Sequence, residues 1–341
     1  MKFSVCLSTG FEGVMYPVPF AGPEDFVAQA KLCERQGYDS VWGNDHITTQ
    51  DYVKDLFPGK PPNFYEPLIT LAAIAGATTR IGLGTALLVL PMREPVYLAK
   101  QILTLDQMSN GRFMLGVGIG AYREEFTAWG GNRIKGVRRS DLMEEGLTTL
   151  MLLLNERQAS FDGKYTSFRG VEMFPKSRRQ PFPLYVGGHN LAAVERAARL
   201  GRGWLPGWRP WNELAERIAL LRRLAAEHGR DPAQIEVAPQ FSVTIDNTPE
   251  AAEKRYMASG LVAHRQSLAY TGRDLSQQVV ANLVGSPELL REKVGQLAQI
   301  GVGHCCALMF PAATLAEMND QVQWFAEEVM NKVSAHSSAS H

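Results

Sequence analysis

Short apolar runs alternate with longer amphipathic segments along nearly the whole chain. The apolar runs predict eight strands: Phe3 to Leu7, Ser40 to Trp42, Ile81 to Val89, Arg112 to Val117, Leu184 to Val186, Gly203 to Pro206, Ile235 to Ile245 and Val302 to Phe310. Because these runs are apolar at nearly every position, they predict strands buried on both faces, as in a parallel sheet covered by helices.

The segments between the strands carry apolar residues at helical spacing. They predict helices over Pro23 to Gln36, Pro67 to Thr79, Glu94 to Gln107, Arg138 to Leu154, Ala192 to Leu200, Trp211 to His228, Pro287 to Gln299 and Leu315 to Val333. Eight strand–helix units favour a closed (β/α)8 TIM barrel in one domain, residues 1–333. An open doubly wound sheet is the alternative, although no G-x-G-x-x-G sequence opens a helix near the first strand.

Three segments depart from this alternation. Residues 248–286 are polar and helix-leaning, and they are too long for an ordinary strand-to-helix loop. We therefore predict an insertion there, before the last helix–strand unit and over the mouth of the barrel. Phe161 to Phe168 predicts a small hairpin, and the polar residues 334–341 predict a disordered tail.

Composition narrows the class of protein. The 35 basic and 35 acidic residues cancel, which argues against a nucleic-acid or membrane-surface partner, since both favour a basic excess. No apolar run approaches the ~18 residues of a membrane helix, and the first one is too short for a secretory signal. The four cysteines include no metal-type pair, so we expect reduced thiols and a cytoplasmic protein.

Candidate chemistry is expected where strands end, because TIM-barrel enzymes place their active sites at the C-terminal ends of the strands. Asp45 and His46 follow the second strand. Histidine titrates near neutral pH, so this pair predicts acid–base catalysis. Gly118 and Gly120 follow the fourth strand, where the lack of side chains allows a ligand to approach the backbone or simply permits close packing.

The fifth strand ends in Gly187-Gly188-His189-Asn190 and leads directly into a helix. Free N–H groups at a helix N-terminus bind anions, so this turn predicts a phosphate site. A tight turn without a ligand is the alternative.

Four segments together resemble the bacterial luciferase-like flavin monooxygenases and their deazaflavin-dependent relatives. They are Gln36 to Trp42 leading into Asp45-His46, Thr79 to Thr85, Leu105 to Phe113 running on to Gly118–Gly120 and Glu124–Phe126, and Pro183 to Gly188. The resemblance covers nearly the whole chain. It implies a (β/α)8 barrel that holds reduced FMN or the deazaflavin coenzyme F420 at its C-terminal mouth and acts on a small organic substrate. The resemblance leaves open whether the protein needs a separate flavin or F420 reductase and whether it forms a homodimer.

The resemblance also implies roles for the residues at the second strand end. His46 matches the active-site histidine of the family. Asp45 is similar to the acidic neighbour that many deazaflavin members have there, which favours F420 over FMN.

Further positions are similar to the cofactor site of the family. Thr85 and Ala86 match the place where the third strand presents its backbone to the ring, often through a non-prolyl cis peptide, which we expect at Ala86–Leu87. Gly187, Gly188 and His189 match the phosphate loop. Tyr122, just after Gly118 and Gly120, is expected to face the ring.

Two departures narrow the reaction. Ile119 stands where luciferase has an arginine that helps to hold the FMN phosphate, and Ala121 stands where the sugar-phosphate dehydrogenases have a glutamate acid. We therefore expect neither light emission nor the sugar-phosphate reaction.

Two other functions stay open at this stage. One is a metal-dependent barrel hydrolase with His46, His189, His304 and Asp45 as ligands, although the H-x-H sequence usual at a first barrel strand is missing. The other is a flavin-binding protein without turnover.

Overall fold

Eight parallel strands form the predicted barrel in the computed structural model, which describes residues 1–267 and 274–333. Their bounds are Lys2–Leu7, Ser40–Gly43, Gly82–Thr85, Phe113–Gly118, Leu184–Gly187, Gly203–Leu205, Gln240–Ile245 and His304–Met309. Each strand pairs with the next except the sixth and seventh, which are linked through the short strand Glu236–Val237, and the eighth pairs with the first. The predicted fold class is confirmed.

The barrel closes at the seventh strand, which is interrupted. Glu236–Val237 pairs with the sixth strand, and Gln240–Ile245 pairs with the eighth. The two pieces are joined through Ala238 and Pro239, and the Ala238 N–H donates to the Trp204 carbonyl at 2.8 Å. Proline has no N–H for the ladder, so the strand is interrupted at Pro239. The Gln240 N–H then donates to the Pro206 carbonyl at 2.9 Å, which continues the hydrogen bonds to the segment after the sixth strand.

The helices lie outside the barrel and follow the strands in order. Their bounds are Pro23–Gln36, Pro67–Ala77, Pro95–Met108, Arg139–Asn155, Leu191–Leu200, Trp211–Glu227, Pro287–Gln299 and Leu315–Phe325. All eight predicted helices are present, with small shifts at their ends, and the last one continues as a π-helical turn, Ala326–Met330. Four begin with proline, whose missing N–H is not needed in a first helical turn. No helix in the described ranges is long and apolar enough to cross a membrane.

The sequence patterns did not predict several short elements at the mouth of the barrel. They include the helices Asp51–Leu56 and Arg123–Gly130. The prediction of one continuous third strand from Ile81 to Val89 is wrong, because the strand breaks and resumes as Leu88–Val89. The break contains a cis peptide at Ala86–Leu87, as predicted.

The segment predicted as an insertion contains two helices and a strand in its described part. The helices are Pro249–Met257 and Gly260–Ser267, and the strand Leu283–Gly285 pairs with the C-terminal half of the seventh barrel strand. The predicted hairpin is also present, as antiparallel strands Ala159–Asp162 and Ser167–Val171. The predicted tail, residues 334–341, lies outside the described residues.

A buried lysine holds the strand Leu283–Gly285 in place. The Lys293 Nζ donates to the carbonyls of Val279, Asn282 and Val284 at 3.3, 2.8 and 3.0 Å. Burial lowers the pKa of Lys293 to about 8, because desolvation disfavours the charged ammonium.

We expect Lys293 to make stability depend on pH. Its folded-state pKa of about 8 lies below the ~10.4 of an exposed lysine, so between these values the unfolded chain binds more protons. The free energy of unfolding of the native protein should therefore rise with pH across this window, relative to that of Lys293→Met. Urea unfolding below and above the window measures this difference.

Lys254→Met, on an exposed position of the helix Pro249–Met257, provides the control and should show the same difference at both pH values. A pH-independent difference for Lys293→Met would contradict the prediction.

Candidate active site

A cavity of 370 Å³ opens at the C-terminal ends of the barrel strands. This volume lies in the ~300–1,000 Å³ range of small-molecule sites. Eight of the ten residues predicted for the site line it: Asp45, His46, Ala86, Gly118, Gly120, Gly187, Gly188 and His189.

The His46 ring is fixed by two side chains from neighbouring loops. Its Nδ1 lies 2.9 Å from Glu125 Oε1 and 2.8 Å from Gln50 Nε2. The Gln50 amide also donates to Glu125 Oε1 at 3.1 Å. The Glu125 carboxylate, only 1% exposed, can only accept, so it favours the tautomer with the proton on Nδ1, in which the Gln50 amide donates to Glu125 alone. That tautomer leaves Nε2 of His46 for proton transfer.

Neither Glu125 nor Gln50 was assigned a role from the sequence. Glu125 appeared only as part of a family motif, beside Glu124. In the structure Glu125 lies beside Phe126 in the short helix Arg123–Gly130, and both residues are buried. A charged residue on a buried helix position needs a partner, and here that partner is His46.

Asp45 lines the cavity, but other protein groups bind both of its carboxylate oxygens. Its Oδ1 lies 2.6 Å from Arg93 Nη2, and its Oδ2 accepts the Val89 N–H at 2.9 Å. Arg93 also pairs with Glu66 at 3.0 Å. Because both oxygens of Asp45 are used, the geometry favours a positioning role, joining the second strand end to the segment after the third strand. A catalytic role of Asp45 stays a prediction.

The glycines that end the fourth and fifth strands, Gly118 and Gly187, make room for Leu87. A Cβ at Gly187 would lie 2.0 Å from Leu87 Cδ1, and one at Gly118 would lie 2.8 Å from the same atom. Such distances are far inside van der Waals contact. The missing side chains of these two glycines therefore leave space for Leu87. They affect a ligand through the shape that Leu87 gives to the cavity.

Two predicted residues do not line the cavity. The Thr85 hydroxyl donates to the Gly116 carbonyl at 2.7 Å and accepts the Gly116 N–H at 3.0 Å, which joins the third and fourth strands. The Tyr122 hydroxyl lies 3.4 Å from His264 Nδ1, while the Tyr122 ring is 6.1 Å from the His46 ring. Tyr122 thus lies between the helix Gly260–Ser267 and the His46 ring.

One end of the cavity suits an anion. Gly188 has φ +108°, a conformation that favours glycine, and Asn190 caps the helix Leu191–Leu200. Arg139 lines the same cavity, and its Nη1 donates to the Gly120 carbonyl at 2.8 Å. A helix N-terminus and a guanidinium group both attract negative charge.

Asn44 carries a donor that the described residues leave without a partner. Its Oδ1 accepts the Thr9 hydroxyl and the Gly10 N–H, both at 2.9 Å. Within the described ranges its buried Nδ2 has no acceptor, and the residue lines the cavity. An unpaired buried donor costs roughly 1–3 kcal/mol, so this amide favours a ligand with an acceptor atom.

The ligand set of the metal-dependent alternative does not form. His304 begins the eighth strand, at the opposite end of the barrel from His46, and lies 2.8 Å from Ser4 Oγ and 3.3 Å from Glu236 Oε2. Nowhere in the described part of the chain do three His, Cys, Asp or Glu side chains group in a way that could hold a metal ion.

A closed barrel with a small-molecule cavity and a His–Glu pair at its C-terminal mouth is the arrangement of a TIM-barrel enzyme. The family described as luciferase-like monooxygenase matches residues 1–304. The chain therefore belongs to the luciferase-like monooxygenase family, which includes flavin- and F420-dependent oxidoreductases.

Known relatives include both a monooxygenase and an F420-dependent dehydrogenase. The chain is 28% identical over 225 residues to the alkanal monooxygenase alpha chain of the Kryptophanaron alfredi symbiont, covering 64% of this chain and 58% of that protein. It is 29% identical over 231 residues to the F420-dependent glucose-6-phosphate dehydrogenase of Kineococcus radiotolerans, covering 67% and 65%. In both cases the match spans less than two thirds of the relative.

A solved structure supports the fold. The oxygenating constituent of 3,6-diketocamphane monooxygenase from Pseudomonas putida, in complex with FMN, superposes with a TM-score of 0.73 at 19% identity. The superposition covers 97% of this chain and 98% of that one.

We expect Gly187→Ala to lower the free energy of unfolding by about 1–3 kcal/mol, as an overpacked site does, because its methyl group would overlap Leu87. Leu87→Ala should also destabilise, by leaving a cavity. If the overlap is the cause, the double variant should be more stable than the sum of the two single effects predicts. Urea unfolding of the four proteins measures this coupling.

Gly76→Ala is the matched control, because no atom lies within 4 Å of a Cβ there. Gly76 lies in the last turn of the helix Pro67–Ala77, where this change should stabilise by less than the roughly 0.5–1 kcal/mol of a mid-helix position. Additive effects of Gly187→Ala and Leu87→Ala would contradict the packing explanation.

Proposed function

We propose that this protein is an oxidoreductase that binds F420 or FMN in the 370 Å³ cavity and uses His46 as an acid–base group on a small organic substrate. One observation carries the proposal. The His46–Glu125 pair and an anion-binding end, formed by Arg139 and the helix Leu191–Leu200, share one cavity.

The residues of this cavity fit a flat ring with an anionic tail. Leu87, Val89 and Ile119 provide apolar walls. The Asn44 amide offers a buried donor to a ring acceptor, and Arg139 suits a phosphate group. Bound there, the reduced cofactor supplies the electrons or hydride that protein side chains lack.

The protein itself contributes orientation and a proton. Glu125 holds Nδ1 of His46 at 2.9 Å, so Nε2 is the nitrogen that gives or takes a proton at a substrate oxygen. Phe64, with its ring 5.5 Å from that of His46, restricts the imidazole on another side.

We propose F420 as the cofactor, because Asp45 stands where many deazaflavin-dependent members of the family have an acidic residue. Among the relatives above, one is F420-dependent and another holds FMN, so they support either cofactor. Because the Asp45 carboxylate is engaged with Arg93 and Val89, its support for F420 comes from family likeness alone. The separate reductase and the homodimer stay predictions.

Titration of the protein with F420 and with FMN, followed by cofactor fluorescence, tests the site. We expect F420 to bind more tightly. Arg139→Gln should weaken binding roughly 10- to 100-fold, the usual worth of a hydrogen bond to a charged group, while the cavity shape remains.

Arg138→Gln is the matched control, because the adjacent Arg138 side chain is 78% exposed and pairs with Asp141. Tighter binding of FMN would overturn the choice of cofactor. Binding of neither cofactor would overturn the proposed function.

Replacement of His46 separates binding from chemistry. We expect His46→Ala to bind the cofactor nearly as well as the native protein and to lose roughly 100-fold or more in turnover, the usual contribution of acid–base catalysis. Stopped-flow absorbance of the bound cofactor, with a panel of ketones, aldehydes and alcohols as substrates, measures this rate.

His228→Ala is the control, because His228 forms a similar pair with Glu195 on the protein surface. An unchanged rate in His46→Ala would assign His46 a structural role only.

A further inference from the structure

A cavity of 630 Å³ lies at the end of the barrel opposite to His46. Four residues of its wall begin strands or directly precede them: Lys2, Arg202, Glu236 and Gly303. The cavity therefore opens at the N-terminal rim of the barrel. It shares no lining residue with the His46 cavity, so the proposed chemistry leaves it without a role.

The inner wall of this N-terminal cavity carries a carboxylate that other protein groups satisfy. Glu236 Oε1 lies 2.7 Å from Lys2 Nζ, and Glu236 Oε2 accepts the Tyr185 hydroxyl at 2.6 Å. His304 Nδ1 lies 3.3 Å from the same Oε2. Because the Lys2 ammonium group offsets the charge of Glu236, this pair leaves the inner wall close to neutral.

Two arginines of the same wall have no acidic partner. In the described part of the chain neither Arg202 nor Arg222 forms an ion pair, although both line the cavity. Arg202 Nη1 donates to the Gln234 carbonyl at 2.5 Å. The Arg222 guanidinium lies against Gly301, where a Cβ would overlap its Nη2. Both guanidinium groups therefore keep N–H donors for a ligand in the cavity.

A third arginine adds positive charge beside the cavity. Arg230 donates to the carbonyls of Ala198 and Gly201, each at 2.7 Å. Burial lowers the pKa of Arg230, and the positive charge of Arg202 lowers it further. Carbonyl partners do not cancel the charge of Arg230, so an anion near Arg202 would relieve this repulsion.

The remaining acid of the wall leaves a positive balance. Asp231 lines the cavity, and its Oδ1 accepts the Ala233 N–H at 3.0 Å. With the Lys2–Glu236 pair neutral, two arginines face one aspartate. The cavity therefore favours an anionic occupant.

The cavity also offers apolar surface, from Pro232, Ile235 and Val237. Its volume of 630 Å³ lies in the ~300–1,000 Å³ range of small-molecule sites, which leaves room for an organic group beside the anion. A phosphate ester carries about −1.5 to −2 charges near neutral pH, and guanidinium groups match phosphate oxygens in pairs.

We propose that this N-terminal cavity binds a phosphate monoester, with its phosphate group at Arg202 and Arg222 and its organic part against Pro232 and Ile235. The proposal goes beyond the proposed function and does not depend on it, because the two cavities have no residue in common.

Isothermal titration calorimetry with phenyl phosphate, at constant ionic strength, tests the proposal. The titration uses Arg139→Gln protein, so that the anion-binding end of the His46 cavity does not contribute. We expect benzoate and inorganic phosphate each to bind roughly tenfold more weakly than phenyl phosphate. Benzoate has a single charge for the two arginines, and inorganic phosphate has no apolar part to remove from water.

Arg222→Gln, added to Arg139→Gln, should weaken the binding of phenyl phosphate about 10- to 100-fold, the usual worth of a hydrogen bond to a charged group. Arg223→Gln on the same background is the matched control. Arg223 is the next residue of the helix Trp211–Glu227, pairs with Glu227 at 3.0 Å and does not line the cavity, so its replacement should leave the affinity unchanged.

Three outcomes would overturn the proposal: no binding of phenyl phosphate by Arg139→Gln protein, equal affinities for phenyl phosphate and benzoate, or equal affinities of the Arg222→Gln and Arg223→Gln variants. Cofactor titration of Arg222→Gln alone separates the two proposals, because this variant should bind the cofactor as the native protein does. A tenfold loss there would also overturn the separate site. Absence of cofactor binding in the native protein would overturn only the proposed function.

Discussion

Closure of the parallel strands into a ring is the constraint on which the rest of the structure depends. The bend at Ala238 and Pro239 lets the seventh strand pair with the sixth and the eighth strands at once. Once the ring is closed, every C-terminal strand end lies on one rim. His46, Gly120 and Asn190 follow three different strands, and closure brings all three to one cavity.

Within the rim, packing between protein groups decides the shape of the cavity. Leu87 occupies the space left by Gly118 and Gly187. The Asp45–Arg93 pair fixes the end of the second strand against the segment after the third. Gly118, Gly187 and Asp45 thus make contacts within the protein, and Glu125 holds the His46 ring at the cavity.

One cavity brings together the groups on which the proposed function depends. The His46 cavity combines an anion-binding end, near Arg139, with a buried His–Glu pair.

The sequence by itself determined the barrel, the order of its strands and helices, and the strand ends that bear the site, because apolar periodicity and the strand-end rule are local properties. His46 and the Gly187–Asn190 turn could be found in this way. Only the tertiary structure decided that Glu125 pairs with His46, that Asp45 pairs with Arg93 and that the helix Gly260–Ser267 brings His264 to Tyr122. Those contacts join elements far apart in the chain, and their distances depend on strand register and barrel closure, which no local pattern encodes.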